Sequence, residues 1–210
     1  MDTIEKLTEL FRQFPGIGPR QARRFVYYLL TQSHTNIDDL TNLIKQLKQS
    51  IAVCSSCYRY YPLNERKAPN ELCSICNNPE RDRSTLMIVS RDIDLQAMEK
   101  SRAYDGLYFV LGGAVPILDE APQRRIRQQE LEEIVTARVD DINTPLKEII
   151  IATSVNPEGE HTSLYVTTLL KSITEKKQIK VSTLGRGLST GTELEYSDAD
   201  TIKSALENRK

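Results

Sequence analysis

Two short segments, Cys54-Ser55-Ser56-Cys57 and Cys73-Ser74-Ile75-Cys76, constrain this chain more than any other feature. A C-x-x-C turn presents two thiols from one tight bend, and two such turns supply the four soft ligands of a tetrahedral Zn²⁺ site. With four protein ligands no position is left open for water, so the metal would tie the chain together rather than react. The fold must therefore bring both segments to one point and loop out the fifteen residues between them. Four unrelated buried cysteines, or redox pairs, are the alternative. That fifteen-residue insert, with Tyr58, Arg59, Tyr60, Tyr61, Arg66 and Lys67, reads as a surface loop, contact with nucleic acid being the other option. Met1-Asp2-Thr3-Ile4-Glu5 lacks the basic-then-apolar order of a secretory signal, and no stretch approaches the ~18 apolar residues of a membrane helix. A cytoplasmic protein is expected, which favours metal over disulfides.

The second informative stretch is Phe14-Pro15-Gly16-Ile17-Gly18-Pro19-Arg20-Gln21-Ala22-Arg23-Arg24-Phe25-Val26. Gly16 and Gly18 can take positive φ and leave backbone N–H groups uncovered, and Pro19 suits the first turn of a helix. The helix then points its positive end at whatever lies over the glycines, a geometry that suits phosphate. At ~100° per residue, Ala22, Phe25, Val26, Leu29 and Leu30 share one arc, Arg20, Arg24 and Tyr27 the opposite one, and Arg23 the border. No Asp or Glu occurs from Leu10 to Ile37, against Arg12, Arg20, Arg23 and Arg24. A solvated helix face beside a Gly-Pro turn is the alternative, and the conjunction of hairpin glycines, helix-starting proline and one-sided basic charge weighs against it. The pattern resembles a helix-hairpin-helix DNA-binding motif, with Gly16, Gly18, Arg20, Arg23 and Arg24 as the DNA-binding residues. The formal net charge of −1 gives no global attraction to nucleic acid, so affinity must come from this patch.

A helix is expected over 3–13, and another from about Asn36 through Leu47 with Asn36 or Thr35 as its cap. This helical unit buries little alone and should dock on a neighbour or on a second copy of itself. From Leu86 the pattern changes to apolar strands at 86–89, 107–111, 148–152 and 179–184, alternating with helices near 92–98, 126–139, 162–173 and 200–206. Continuous apolar strands separated by helices mean a mainly parallel sheet covered on both faces, hence an α/β domain. The chain divides into a helix-hairpin-helix unit at 1–52, a four-cysteine zinc finger at 53–83, an α/β domain at 84–184 and a closing, assembly-forming segment at 185–210.

Ligands gather at the carboxyl ends of parallel strands. Asp92, Asp94, Glu158 and Glu160 could converge there on Mg²⁺, or could be solvated loop acids. The loop from Gly185 to Gly191 matches neither common nucleotide-binding glycine pattern, and His34 and His161 have no partners at ligand spacing.

The order of parts resembles the bacterial RecR family of recombination mediators over nearly the full chain. The resemblance rests on Phe14–Arg24, the cysteine pairs with Arg81 after them, Tyr104–Gly113, Glu158–Thr162 and Gly185 through Tyr196. It implies that the α/β part is a Toprim domain and that Cys54, Cys57, Cys73 and Cys76 hold structural Zn²⁺. It further implies non-enzymatic DNA binding, work with RecO and RecF, RecA loading on single strands, and ring-like tetramers made from pairs of dimers. Ser90 stands where the family's strand carries glutamate, which weighs against Mg²⁺ chemistry, while Asp94 and Glu99 fall where acidic, partner-binding residues are expected. The alternatives are a Mg²⁺-dependent Toprim-type nuclease or primase-like enzyme, and a zinc-stabilised module that binds only protein.

Overall fold

A computed structural model describes residues 1–65, 71–118, 121–185, 188, 191, 193–197 and 199–207. Arg66 and Lys67 of the cysteine insert, and Arg186, Gly187, Ser189, Thr190 and Thr192 of the glycine-containing loop, lie outside the described residues. The chain forms two units, Met1–Ala52 and Val53–Lys210.

In the first unit α1 (Thr3–Arg12) starts on a reciprocal cap: the Asp2 carboxylate accepts from the Glu5 N–H at 2.8 Å, and the Glu5 carboxylate accepts from the Asp2 N–H at 3.1 Å. It packs against α2 (Pro19–Leu30) through Phe11, whose ring meets Phe14 at 5.9 Å and Phe25 edge-on at 5.7 Å. Ala22 and Val26 are the buried residues of α2; on the same arc Phe25 is only partly covered and Leu30 stays largely uncovered. The third helix, α3 (His34–Ser50), begins two residues earlier than the spacing of its leucines indicates. Ser33, not Asn36 or Thr35, is its cap, the hydroxyl accepting from the Asn36 N–H at 3.2 Å. It buries no residue: Leu43, Ile44 and Leu47 are each about 60 % exposed.

The second unit contains β2 (Tyr60–Pro62), which pairs as a two-stranded ribbon with β1 (Ile51–Val53), a strand that spans the boundary at Ala52. Its main sheet has the order β4-β3-β5-β6, formed by β3 (Asp82–Val89), β4 (Gly106–Val110), β5 (Glu148–Ala152) and β6 (Lys180–Thr183). Every pairing is parallel, as continuous apolar strands require. The helices between strands are α4 (Asp92–Ser101), α5 (Gln128–Val139) and α6 (Pro157–Lys177), and α7 (Ala199–Glu207) follows the last strand. Leu86, Ile88, Phe109, Ile149 and Ile151 from the strands meet Leu131, Val135, Val166 and Leu170 from α5 and α6 in one core.

In this unit two elements start four or five residues earlier than the sequence reading has them. The strand β3 starts at Asp82 rather than Leu86, because parallel pairing to Gly106 and Glu148 extends it through the polar Arg83, Ser84 and Thr85. The helix α6 starts at Pro157 rather than near Thr162: the Asn156 side chain accepts from the Gly159 N–H at 2.8 Å, and Pro157 takes the first helical position. Glu158 and Glu160 are therefore first-turn helical residues, not loop acids.

Candidate nucleic-acid interface and metal centre

The hairpin between α1 and α2 is closed by a bond from the Ile17 N–H to the Phe14 carbonyl at 3.1 Å. Gly16 occupies the left-handed region at φ +75°, where a side chain would be strained. Gly18 does not: it is extended, at φ −80° and ψ 170°, and serves as the N-cap of α2. A Cβ built on either glycine meets no atom within 4 Å. At position 18, therefore, neither the backbone conformation nor the packing of this chain demands glycine. The consequence is local: α1 and α3 have side-chain caps, whereas α2 has none and no acidic residue in its first turn. Its leading N–H groups face an open approach, at the positive end of the helix.

Arg20, Arg23 and Arg24 are exposed on this helix and have no acidic partner among the described residues. Arg12 differs, being paired with Glu9 at 2.7 Å on α1. The three free guanidinium groups, with Tyr27, Tyr28 and Thr31, line an open concavity of about 680 Å³. Uncapped amides and unpaired guanidinium groups on one helix make a surface for anions.

The four cysteines are buried, and their sulfurs all lie within 4.8 Å of one another. Each knuckle is a helical-type turn, with the Tyr58 N–H donating to the Cys54 carbonyl at 3.0 Å and the Asn77 N–H to the Cys73 carbonyl at 3.0 Å. Cys57 and Cys73 bridge the knuckles sulfur to sulfur at 3.6 Å, and the Cys73 N–H donates to the Cys54 sulfur at 3.4 Å. As free thiols they share protons. The bond with Cys57 holds Cys54 far below the usual thiol range, and its counterpart pushes Cys57 far above it. Cys73 lies at about 6, its bond with Cys54 raising it but those with Cys57 and Cys76 prevailing. Cys76 is pushed up, chiefly by Cys54. A dication would replace the shared protons and leave four thiolates, so this donor set can hold a metal ion.

The metal centre is anchored to the sheet. The Val110 N–H at the end of β4 donates to the Cys57 carbonyl at 2.9 Å, and the Tyr60 N–H to the Asp92 carboxylate at 2.8 Å. The Tyr58 ring meets Phe109 at 5.4 Å and lies 5.7 Å below the Arg127 guanidinium. Tyr61 is 1 % exposed. The insert is thus not wholly a surface loop: Tyr58 and Tyr61 turn inward. Arg138, unremarkable in the sequence, donates to Ser56 within the first knuckle at 3.2 Å, and its Nη1 has no partner among the described residues. Burial pulls this guanidinium below its usual value, with Cys76 and Cys57 opposing. No local signal marks it, because sequence spacing says nothing of a contact between α5 and the knuckle.

The acidic residues are otherwise engaged. Asp94 accepts from the Arg91 N–H at 2.9 Å at the start of α4. Glu99 is paired with Arg81, whose Nη1 lies 2.9 Å from it and also reaches the Tyr104 and Gly106 carbonyls. Burial is the largest single influence and acts to raise Glu99, but the Arg81 bond, Tyr108 and the charges of Arg81 and Arg59 together outweigh it, and the carboxylate lies below its usual value. Among the described residues, Asp92, Asp94, Glu158 and Glu160 do not come together as a metal-ligating group. Ser90 is buried at the end of the central strand.

Comparison with known proteins follows the same division. Residues 4–48 match the family model described as RecR, helix-hairpin-helix, residues 84–185 that of the Toprim domain, and residues 187–210 that of RecR, C-terminal. The chain is 33% identical over 207 residues to the Recombination protein RecR of Cyanothece sp. (strain PCC 7425 / ATCC 29141), covering 99% of this chain and 95% of that one. It is 34% identical over 206 residues to the Recombination protein RecR of Lactobacillus acidophilus, covering 98% and 96%.

Proposed function

Because the chain belongs to the RecR family of recombination proteins, we propose that it is a DNA-binding mediator of recombinational repair. It holds the sugar-phosphate backbone at Gly16, Gly18, Arg20, Arg23 and Arg24, acts with RecO and RecF, and promotes RecA loading on single-stranded DNA. It performs no chemistry on the strand. Position 18 carries the DNA-binding part of this reading. A glycine that the fold itself does not require, in front of an uncapped helix and beside arginines without acidic partners among the described residues, serves something that approaches from outside. Amides and guanidinium groups placed this way grip phosphate and read no base, so binding is independent of sequence and falls steeply with salt.

The four thiolates of Cys54, Cys57, Cys73 and Cys76 hold structural Zn²⁺, and Arg138 offsets part of the excess negative charge. The uncovered leucines of α3 support self-assembly, a second copy covering this face on the way to a ring-like tetramer. The protein works in the cytoplasm.

The test is Arg20→Glu combined with Arg24→Glu, measured by fluorescence anisotropy on duplex and tailed DNA at moderate salt. Both positions are exposed, so the fold and the zinc content remain those of the parent while DNA binding is lost. A double variant that binds like the parent would overturn the assignment.

A further inference from the structure

The concavity on α2 is not purely basic. At ~100° per residue Arg20, Arg24, Tyr27 and Thr31 fall nearly in line, with Arg23 and Tyr28 flanking them. The helix therefore carries its charges on the first two turns and its rings on the third. Along the axis the rings lie from about 5 Å (Arg24 to Tyr27) to about 12 Å (Arg20 to Tyr28) beyond the charges. Tyr27 and Tyr28 are 53% and 62% exposed, and neither ring meets another aromatic ring among the described residues. By contrast, Phe11 packs against Phe14 and Phe25, Tyr58 against Phe109 and Tyr104 against Tyr108.

A duplex offers phosphates to such a surface but keeps its base faces stacked inside. An unpaired strand offers both: phosphates for the arginines and a free π-face for each tyrosine. Resting on the DNA-binding role proposed above, we infer that Tyr27 and Tyr28 form a stacking platform for unpaired bases, so that this surface prefers single-stranded over duplex nucleic acid. The arginines fix the backbone, and the rings supply the discrimination. Because every base has a π-face, the preference is for strandedness and not for sequence.

The experiment uses the full-length protein and three labelled probes: an oligothymidylate, the same strand with its bases removed at contiguous abasic sites, and a blunt duplex. Alanine is well tolerated at exposed helical positions, so Tyr27→Ala with Tyr28→Ala retains the fold. Stacking worth about 1–3 kcal/mol per base corresponds to a fall of at least tenfold in affinity for oligothymidylate. Affinity for the duplex and for the abasic strand should change by less than about threefold, the effect of losing rim contacts alone. A second readout uses the absence of tryptophan from the chain. Tyr28→Trp places a single indole in the platform, and its emission is quenched by oligothymidylate but not by duplex or abasic strand. Equal loss on all three probes, no loss on any, or quenching that ignores the bases would overturn the inference. If the tyrosine variants keep the parent's behaviour while Arg20→Glu with Arg24→Glu abolishes binding, the platform is wrong and the phosphate grip stands. If the arginine variant also binds normally, the DNA-binding reading itself falls.

Discussion

The two units of this protein spend their apolar residues in opposite ways. In the second, all five residues of β4 are buried, and the strands beside it close around Leu131, Val135, Val166 and Leu170. In the first, α1 and α2 meet through Phe11, Ala22, Phe25 and Val26, while α3 buries nothing and Leu10, Phe14, Leu30 and Leu43 remain uncovered. A buried parallel sheet is a structure complete in itself. The three-helix unit is not complete in this sense: its third helix leaves an apolar face uncovered, and Arg20, Arg23 and Arg24 have no acidic partner among the described residues. The difference separates what holds the molecule together from what the molecule holds.

The comparison can be broken most forcefully at the metal centre. Cys57→Ser removes one of the four candidate ligands, and structural zinc sites, the reading proposed for this cluster, carry on the order of 10 kcal/mol of folding free energy. The expected outcome is loss of bound metal, measured by elemental analysis, with collapse of hydrogen-exchange protection in β3 and β4. Protection in α1 and α2 persists. Retention of metal by the variant would show that the four sulfurs do not act as one site.

Next in size is a matched pair of leucines. Leu170→Ala opens a cavity in the core of the second unit and costs about 2–5 kcal/mol in urea unfolding. Leu43→Ala, at a position 65% exposed, costs under about 0.5 kcal/mol. Its effect is seen instead in sedimentation, as weaker self-association at equal concentration. Equal destabilisation by the two would mean that α3 is part of a folded core.

A small stability effect and one of the largest functional effects should coincide at position 18. Gly18→Asp supplies the cap that α2 lacks, leaving stability unchanged or raising it by up to about 1 kcal/mol. The same carboxylate sits where phosphate would, so DNA affinity falls more than tenfold. A variant that is more stable and still binds DNA normally would separate the uncapped helix from binding.

Much of this was legible in advance. Continuous apolar runs such as Leu107–Leu111 have one structural solution, so the parallel sheet followed from them. The spacing of Cys54, Cys57, Cys73 and Cys76 likewise admits few arrangements. The polar half of β3 was hidden because Asp82 to Thr85 join the sheet by backbone pairing and not by side-chain burial. The start of α6 was hidden because Asn156-Pro157 marks a turn as readily as a helix cap. The inward turn of Tyr58 and Tyr61, the Arg81–Glu99 pair and the place of Arg138 beside the knuckle all depend on tertiary contacts that leave no local pattern. At Gly18 the sequence argued from a positive φ, whereas its φ is negative and what the structure shows is open space in front of it.

The most direct measurement is the salt dependence of duplex affinity for the parent and for Arg20→Gln with Arg24→Gln. Each phosphate contact contributes about 0.9 to the slope of log affinity against log salt, so losing two should make the slope shallower by about 1.8. A parallel line for the double variant, displaced or not, would mean that these arginines do not touch the phosphates of DNA.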